Sequence, residues 1–312
     1  MTPTQLRSFA TVVRLGSVRA AAVELDVSEA AVSGSVGSLR KELDDRLFHP
    51  SHSGLVFTPG GIRLAQRAVE MLGLQEQTRR EVSDARDGRR HLRVVATSLF
   101  TEYAAPGLIE LFSTRADDLE VELVVDSSDR FDELLLSHTA DVVIGPVSNN
   151  AVPEGLTATE FLRYGVVGVC TPDIASRDLS RVQWHLGPSA VEPAGVSKTI
   201  IERMRVAEDN QRIYTSHAAA LAQARDGHGV ALVPKFVADR STANGELVLV
   251  DNRRCAATGT WTARSWRGDR ASSAARELMR FVTTPRAIQA MLSGSGSRIG
   301  RFKPRVHITL WS

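Results

Sequence analysis

Cysteine is almost absent from this chain: Cys170 and Cys255 are the only two in 312 residues. Two thiols cannot staple a disulfide scaffold, and no CxxC pair exists for redox or zinc chemistry. They read as buried thiols of a reducing compartment. A signal peptide is also missing, because Met1-Thr2-Pro3-Thr4-Gln5-Leu6-Arg7 lacks a basic start followed by an apolar run. No apolar stretch approaches the roughly 20 residues that span a bilayer. The expectation is a cytoplasmic protein with no membrane partner. Neither sign of charge dominates, and the net charge of +2 gives no support for nucleic-acid binding. Any such claim has to rest on a motif. Motifs of catalysis are absent too: no nucleophile elbow, no phosphate loop, no Gly-x-Gly-x-x-Gly. His49 and His52 stand three apart without further ligands, so no metal and no cofactor are expected. An enzyme is the weaker reading.

What is present suits two or three domains. Leu6, Phe9, Val12 and Val13 recur at helical spacing until Gly16 stops them. Ser17 is a good N-cap for a helix over Val18 to Leu25, and after Asp26-Val27 Ser28 caps a third. That third helix carries Val32, Val36, Leu39 and Leu43 as one stripe. Two short helices joined by a tight turn fit a helix-turn-helix, and equally a plain three-helix bundle. Leu47-Phe48, a polar segment, and Leu55 to Thr58 then suit a two-stranded wing. Pro59-Gly60-Gly61 breaks the pattern. From about Ile62 to Asp87 a long helix follows, with Ile62, Ala65, Val69 and Leu72 as a narrow seam before a charged remainder. Such a helix suits pairing with another.

From His91 strands alternate with helices. Strands are expected over 92–96, 121–125, 141–145, 164–170, 229–234 and 246–250. Helices are expected from Thr97-Ser98 through Phe112, over 131–137, from Ser216 to Ala224 and over 272–281. Apolar strands between helices imply a parallel sheet covered on both faces, and two such sets imply two lobes. After the flexible Ser293-Gly294-Ser295-Gly296-Ser297, the tail carries Arg298, Arg301, Lys303 and Arg305. Its end, 306–311, alternates like a strand, to be docked on this chain or a partner subunit or left disordered.

Leu6-Arg7-Ser8-Phe9, Gly16-Ser17, Ala21-Ala22, Leu25, Val27-Ser28, Ala31-Val32-Ser33, Leu39, Leu43, Leu47-Phe48, Leu55 and Thr58-Pro59-Gly60-Gly61 together resemble the N-terminal pattern of LysR-type transcriptional regulators in order and spacing. Landmarks at 141–146 and 227–234 extend the resemblance over all but the last 20 or so residues. It implies an α/β protein with an N-terminal all-α winged helix-turn-helix and a two-lobed, periplasmic-binding-protein-like C-terminal domain. The expected division is 1–60 for the DNA-binding domain, 61–90 for a dimerising linker helix, 91–293 for the effector-binding domain and 294–312 for a basic tail. Lobe I would take about 91–162 and 267–293, and lobe II about 163–266. The implied partners are double-stranded DNA, a small-molecule effector (an anion would suit the site) and a second copy through the linker helix, with tetramers possible.

In this reading the third helix lies in the major groove. Glu29, Ala30, Ser33, Gly34, Ser35 and Gly37 would face bases, Arg40 and Lys41 phosphates, and His52 and Ser53 the minor groove. Free N–H groups near Ser17 and Ser28 would also meet phosphates. The sequence departs from the family here, which commonly has Gln at Glu29, Pro at Ala30, Gln at Ser35, Glu at Arg40, Gly at Asp44 and Arg at Pro50. Bidentate base readers are missing. Residues 1–60 balance six basic side chains (Arg7, Arg14, Arg19, Arg40, Lys41, Arg46) against six acidic ones (Glu24, Asp26, Glu29, Glu42, Asp44, Asp45). Weak affinity per subunit, offset by avidity, is the expectation. An alternative is a degenerate reading helix in a ligand-binding or interaction module. For the effector, the segments beyond the strand ends should meet in one crevice. They supply Thr97, Ser98, Ser128, Arg130, Pro146, Ser148, Ser216 and His217, with Ser98 at a helix start and Arg130 as partner for a carboxylate.

Overall fold

The structure is a computed structural model and describes residues 1–51, 54–146, 151–192, 195–250 and 253–293. His52, Ser53, Ser148 and the tail 294–312 lie outside the described residues. The chain falls into two compact units, one holding 1–86 with the short segment 136–139, the other the described chain from 87 to 135 and from 140 onward.

The first unit opens with α1 (Pro3–Leu15), α2 (Val18–Glu24) and α3 (Glu29–Leu43). Each start is set by a side chain accepting from a free backbone N–H: Thr2 from Gln5, Ser17 from Ala20 and Ser28 from Ala31. Gln5 returns a bond from its side chain to the Thr2 N–H, closing a capping box. Gly16, at φ 64°, ends α1 in the left-handed region that favours glycine. The wing is a hairpin of β1 (Phe48–Ser51) and β2 (Gly54–Phe57). Leu6, Phe9, Val12, Ala21, Val32, Val36, Leu39 and Leu47 form the core beneath it.

Two details of this unit differ from the sequence reading. Leu43 closes the predicted stripe on α3 but is 40% exposed, because the helix ends there and Asp44 turns the chain away. Pro59-Gly60-Gly61 does not interrupt the structure; it is the first turn of α4 (Pro59–Asp87). Proline at the first helical position has no N–H to lose, and Thr58 Oγ1 accepts from Gly61 N at 2.9 Å. A Cβ at Gly61 would collide with the Leu47 carbonyl oxygen, so glycine lets the long helix pass close to the hairpin base. The buried line of α4 is accordingly Gly61, Leu64, Ala65 and Ala68, while Ile62 points outward.

The second unit is built on a nine-stranded mixed sheet. β3 (Arg90–Ala96) pairs parallel with β4 (Leu119–Val125) and β5 (Val142–Gly145). Around them lie α5 (Ser98–Tyr103), α6 (Ala105–Ser113) and α7 (Phe131–Leu136). The single helix expected from Thr97 to Phe112 breaks at Ala104, since Pro106 cannot donate a helical hydrogen bond. β6 (Leu156–Cys170) then runs for 15 residues. After it come α8 (Pro172–Ala175), β7 (Trp184–Leu186), α9 (Val196–Met204), β8 (Gln211–Ile213), α10 (His217–Arg225), β9 (Val230–Pro234), α11 (Lys235–Ser241) and β10 (Val248–Leu249). β11 (Ala256–Trp266) returns along β6, and α12 (Ser273–Phe281) and α13 (Pro285–Ser293) close the unit.

The strand order is β4-β3-β5-β11-β6-β9-β7-β8, with β10 on β6. β11 is antiparallel to both β5 and β6, which corrects the all-parallel expectation. β6 and β11 are the two crossings between lobes: one end of the pair joins β5, the other β9. Their register shifts between Trp261 and Thr262, a bulge where one lobe gives way to the other. Arg264 of β11 is buried against α7, donating to Asp132 Oδ1 at 2.8 Å.

Candidate functional site

Two surfaces have the form of sites. On α3 the core stripe leaves Glu29, Ala30, Ser33, Gly34 and Gly37 exposed on the opposite side. Nothing within 4 Å would meet a Cβ at Gly34 or Gly37. The chain's own packing therefore does not call for glycine at either position. Ser17 and Ser28 spend their hydroxyls as caps, and Ser35 is half-buried. Lys41 is exposed.

Arg40, expected near phosphate, is turned toward the wing in this structure. Its Nη2 donates to the Phe48 carbonyl at 3.0 Å and its guanidinium lies 4.3 Å from the Phe48 ring centroid. It clamps the wing to α3. Arg14 and Arg19 pair with Glu24 and Glu29. Among the described residues of this unit, Arg7, Lys41, Arg46 and Arg63 carry no salt bridge. The wing is held from below by Asp45, whose Oδ1 accepts from Leu47 N at 2.6 Å and Thr58 Oγ1 at 2.8 Å. The Leu47 and Thr58 bonds hold the Asp45 carboxyl below its usual range.

Where the crevice between the lobes is expected, four polar side chains come together from facing elements. Ser98, the first residue of α5, donates from Oγ to Glu192 Oε1 at 2.9 Å. His217 Nε2 stands 3.2 Å from the same Oγ. Glu102, one turn further along α5, accepts from the N–H groups of His217 and Ala218 at 2.8 and 2.9 Å, and so caps α10 from across the cleft. Ser216 accepts from Ala219 N. Burial depresses His217 to about 4, which leaves a neutral imidazole, and raises the carboxyls of Glu192 and Glu102.

The order of this relay excludes a nucleophilic triad. There, histidine stands between the hydroxyl and the carboxylate and takes the hydroxyl proton. Here the serine stands between, and its proton goes straight to Glu192. Burial also pushes the thiols of Cys170 and Cys255 to about 11 and about 12, so neither is a nucleophile.

Of the sequence-expected cleft residues, Ser98, Ser216 and His217 are brought together. Thr97 is buried beside them, its Oγ1 without a partner. Ser128 and Pro146 are half-buried on the loops after β4 and β5. Arg130, expected as partner for a ligand carboxylate, is paired with Asp126 at 3.1 Å and lies 4.0 Å from Glu133. At the start of α5, where an anion was expected, the N–H of Ser98 is instead answered by Glu192, and Glu102 answers the N–H groups at the start of α10. Both acids escaped the sequence reading. Glu102 had a signal, since it lies four residues after Ser98 on one helix face. Glu192 had none, because its segment has no periodicity.

Comparison with known proteins places both units. Residues 3–62 match the model described as "Bacterial regulatory helix-turn-helix protein, lysR family", and residues 85–285 match "LysR substrate binding domain". An uncharacterized HTH-type transcriptional regulator of Mycobacterium tuberculosis is 47% identical over 321 residues, covering 100% of both chains. Full-length LysG of Corynebacterium glutamicum with bound effector Arg superposes with a TM-score of 0.58 at 19% identity, over 94% of this chain and 99% of that one. Full-length CbnR complexed with target DNA gives 0.56 at 19% identity, over 90% and 99%. No helix among the described residues is long and apolar enough to cross a membrane. The chain belongs to the LysR family of transcriptional regulators, with a helix-turn-helix domain and an effector-binding domain, and is not an enzyme.

Proposed function

We propose that the chain reads double-stranded DNA through α3 as a homodimer and answers a small molecule held between its two lobes in the cytoplasm. Residues 1–60 would read DNA, 61–90 pair the subunits and 91–293 sense the effector. The observation that carries the reading is the exposed face of α3, flanked by a capped N-terminus and a wing, with glycines its own fold does not require. CbnR, of the same fold, has been solved on target DNA, and LysG with a bound effector. A dimer is supported by α4, where Met71, Leu74 and Val82 stand 39%, 53% and 66% exposed at helical spacing.

With Arg40 turned inward and two arginines paired, each subunit offers few cations to phosphate. Affinity would then come from two linked subunits. A mobility-shift titration of the full chain on genomic fragments, repeated at several salt concentrations, tests this. A retarded complex that forms as dimer, with a shallow salt slope per subunit, is expected. A nanomolar monomeric complex with a steep slope, or no retarded fragment at all, would overturn it.

A further inference from the structure

Glu192 answers the Ser98 hydroxyl and N–H at the start of α5, yet no basic side chain among the described residues pairs with it. The residue is 8% exposed. Among the described residues the charged neighbour acting on it is another acid, Asp129. His217, behind Ser98, is neutral. A buried charge without a counter-charge is among the most costly features a fold can carry.

Its surroundings are of one kind. The Tyr164 phenol lies within the field of Glu192. Tyr164 stacks on Trp261 with centroids 4.2 Å apart and planes 22° from parallel, and Phe100 meets Trp261 edge-on at 5.1 Å. Aromatic faces attract cations for the same reason a carboxylate does: both present negative charge. Among the described residues the buried Thr97 Oγ1 has no hydrogen-bond partner. An anion entering here would meet Glu192 with its donors already taken. As a latch between lobes, glutamine would serve as well, accepting from Ser98 without burying a charge.

We propose that the effector of this chain carries a protonated nitrogen (an ammonium, amidinium or guanidinium group) that pairs with Glu192 beside the Tyr164–Trp261–Phe100 wall. The inference rests on the reading of the cleft as the effector site. It is tested on the full chain by calorimetry and thermal melting with skeleton-matched probes: phenethylammonium against phenylpropionate, and cadaverine against glutarate, with agmatine as the guanidinium. Amine probes should bind and raise the melting temperature, and the two anions should not. Glu192→Gln should weaken amine binding by about tenfold or more, while its own melting temperature holds or rises. Retardation of DNA by the same preparations is measured in parallel, so that a failed regulator and a failed ligand class are told apart. Binding of the anions alone, or of no probe while DNA is still retarded, overturns the amine class and leaves the regulator standing. Equal amine binding by the Gln variant overturns the role of Glu192. Looser DNA binding in that variant, without amine binding by either chain, identifies Glu192 as an internal latch and also overturns the proposal.

Discussion

Arg40 stands on the proposed DNA-reading helix, yet its guanidinium is folded back onto the wing. Arg40→Ala removes a charged hydrogen bond to the Phe48 carbonyl and a cation over its ring. The expected loss is about 1–2 kcal/mol in stability of the N-terminal unit, read by urea melting. The salt slope of DNA binding should stay as it was, since no phosphate contact is lost; a slope shallower by about one would return Arg40 to the phosphate. Gly34 and Gly37 make the converse case. Each weakens α3 by up to about 1 kcal/mol relative to alanine, and neither is required by a neighbour. Gly34→Ala/Gly37→Ala should therefore raise the melting temperature and lower DNA affinity together. A stabilised variant with unchanged affinity would show that the groove does not approach these positions.

At the scale of elements, the junction of hairpin and long helix is the tightest point of the first unit. Thr58 serves twice, donating to Asp45 and accepting from Gly61, so the wing base and the start of α4 share one residue. Gly61→Ala would force α4 away from the Leu47 carbonyl. A loss of about 1–3 kcal/mol is expected, as for overpacking elsewhere in cores, with the helix content of α4 preserved in circular dichroism. An unchanged melting curve would mean that the junction gives way freely. The composition Pro-Gly-Gly reads as a breaker in sequence because propensity is averaged over residues. Here the position within the helix decides: proline at its first residue, glycine where backbone meets backbone.

For the whole molecule, two equilibria follow. The outward line Met71, Leu74 and Val82 on α4 should be covered in a dimer, so Leu74→Glu should shift sedimentation toward monomer and cost DNA binding by the lost avidity. A variant that stays dimeric would place the interface elsewhere. The cleft makes stability depend on pH in two opposing ways. His217, held at about 4 against an ordinary 6.5, binds its proton less readily folded than unfolded, so its contribution falls as pH drops from 6.5 toward 4. Glu192, raised above 4.5, binds its proton more readily when folded, so its contribution grows as pH falls through that raised value. Glu102, raised likewise by burial, acts in the same direction as Glu192; Glu192→Gln removes the Glu192 share alone. The variant should be the more stable chain near neutrality, and its advantage should shrink in acid. A constant difference across the range would mean that Glu192 titrates at its ordinary value.

Much of this protein was legible in its sequence. The caps at Ser17 and Ser28, the stripe of α3, the hairpin and the strand-helix alternation after His91 all depend on neighbours within a few residues. What sequence order did not decide was which distant groups share a space. β11 is rich in alanine and threonine and shows no strand signal; it is a strand because β5 and β6 flank it. Arg40 and Arg130 look like free cations until Phe48 and Asp126 are placed beside them. Glu192, in a segment without pattern, becomes the centre of the cleft only when the fold carries it 94 positions back to Ser98. Local hydrogen bonding and periodicity set the elements; burial and charge, which depend on the whole chain, set the site.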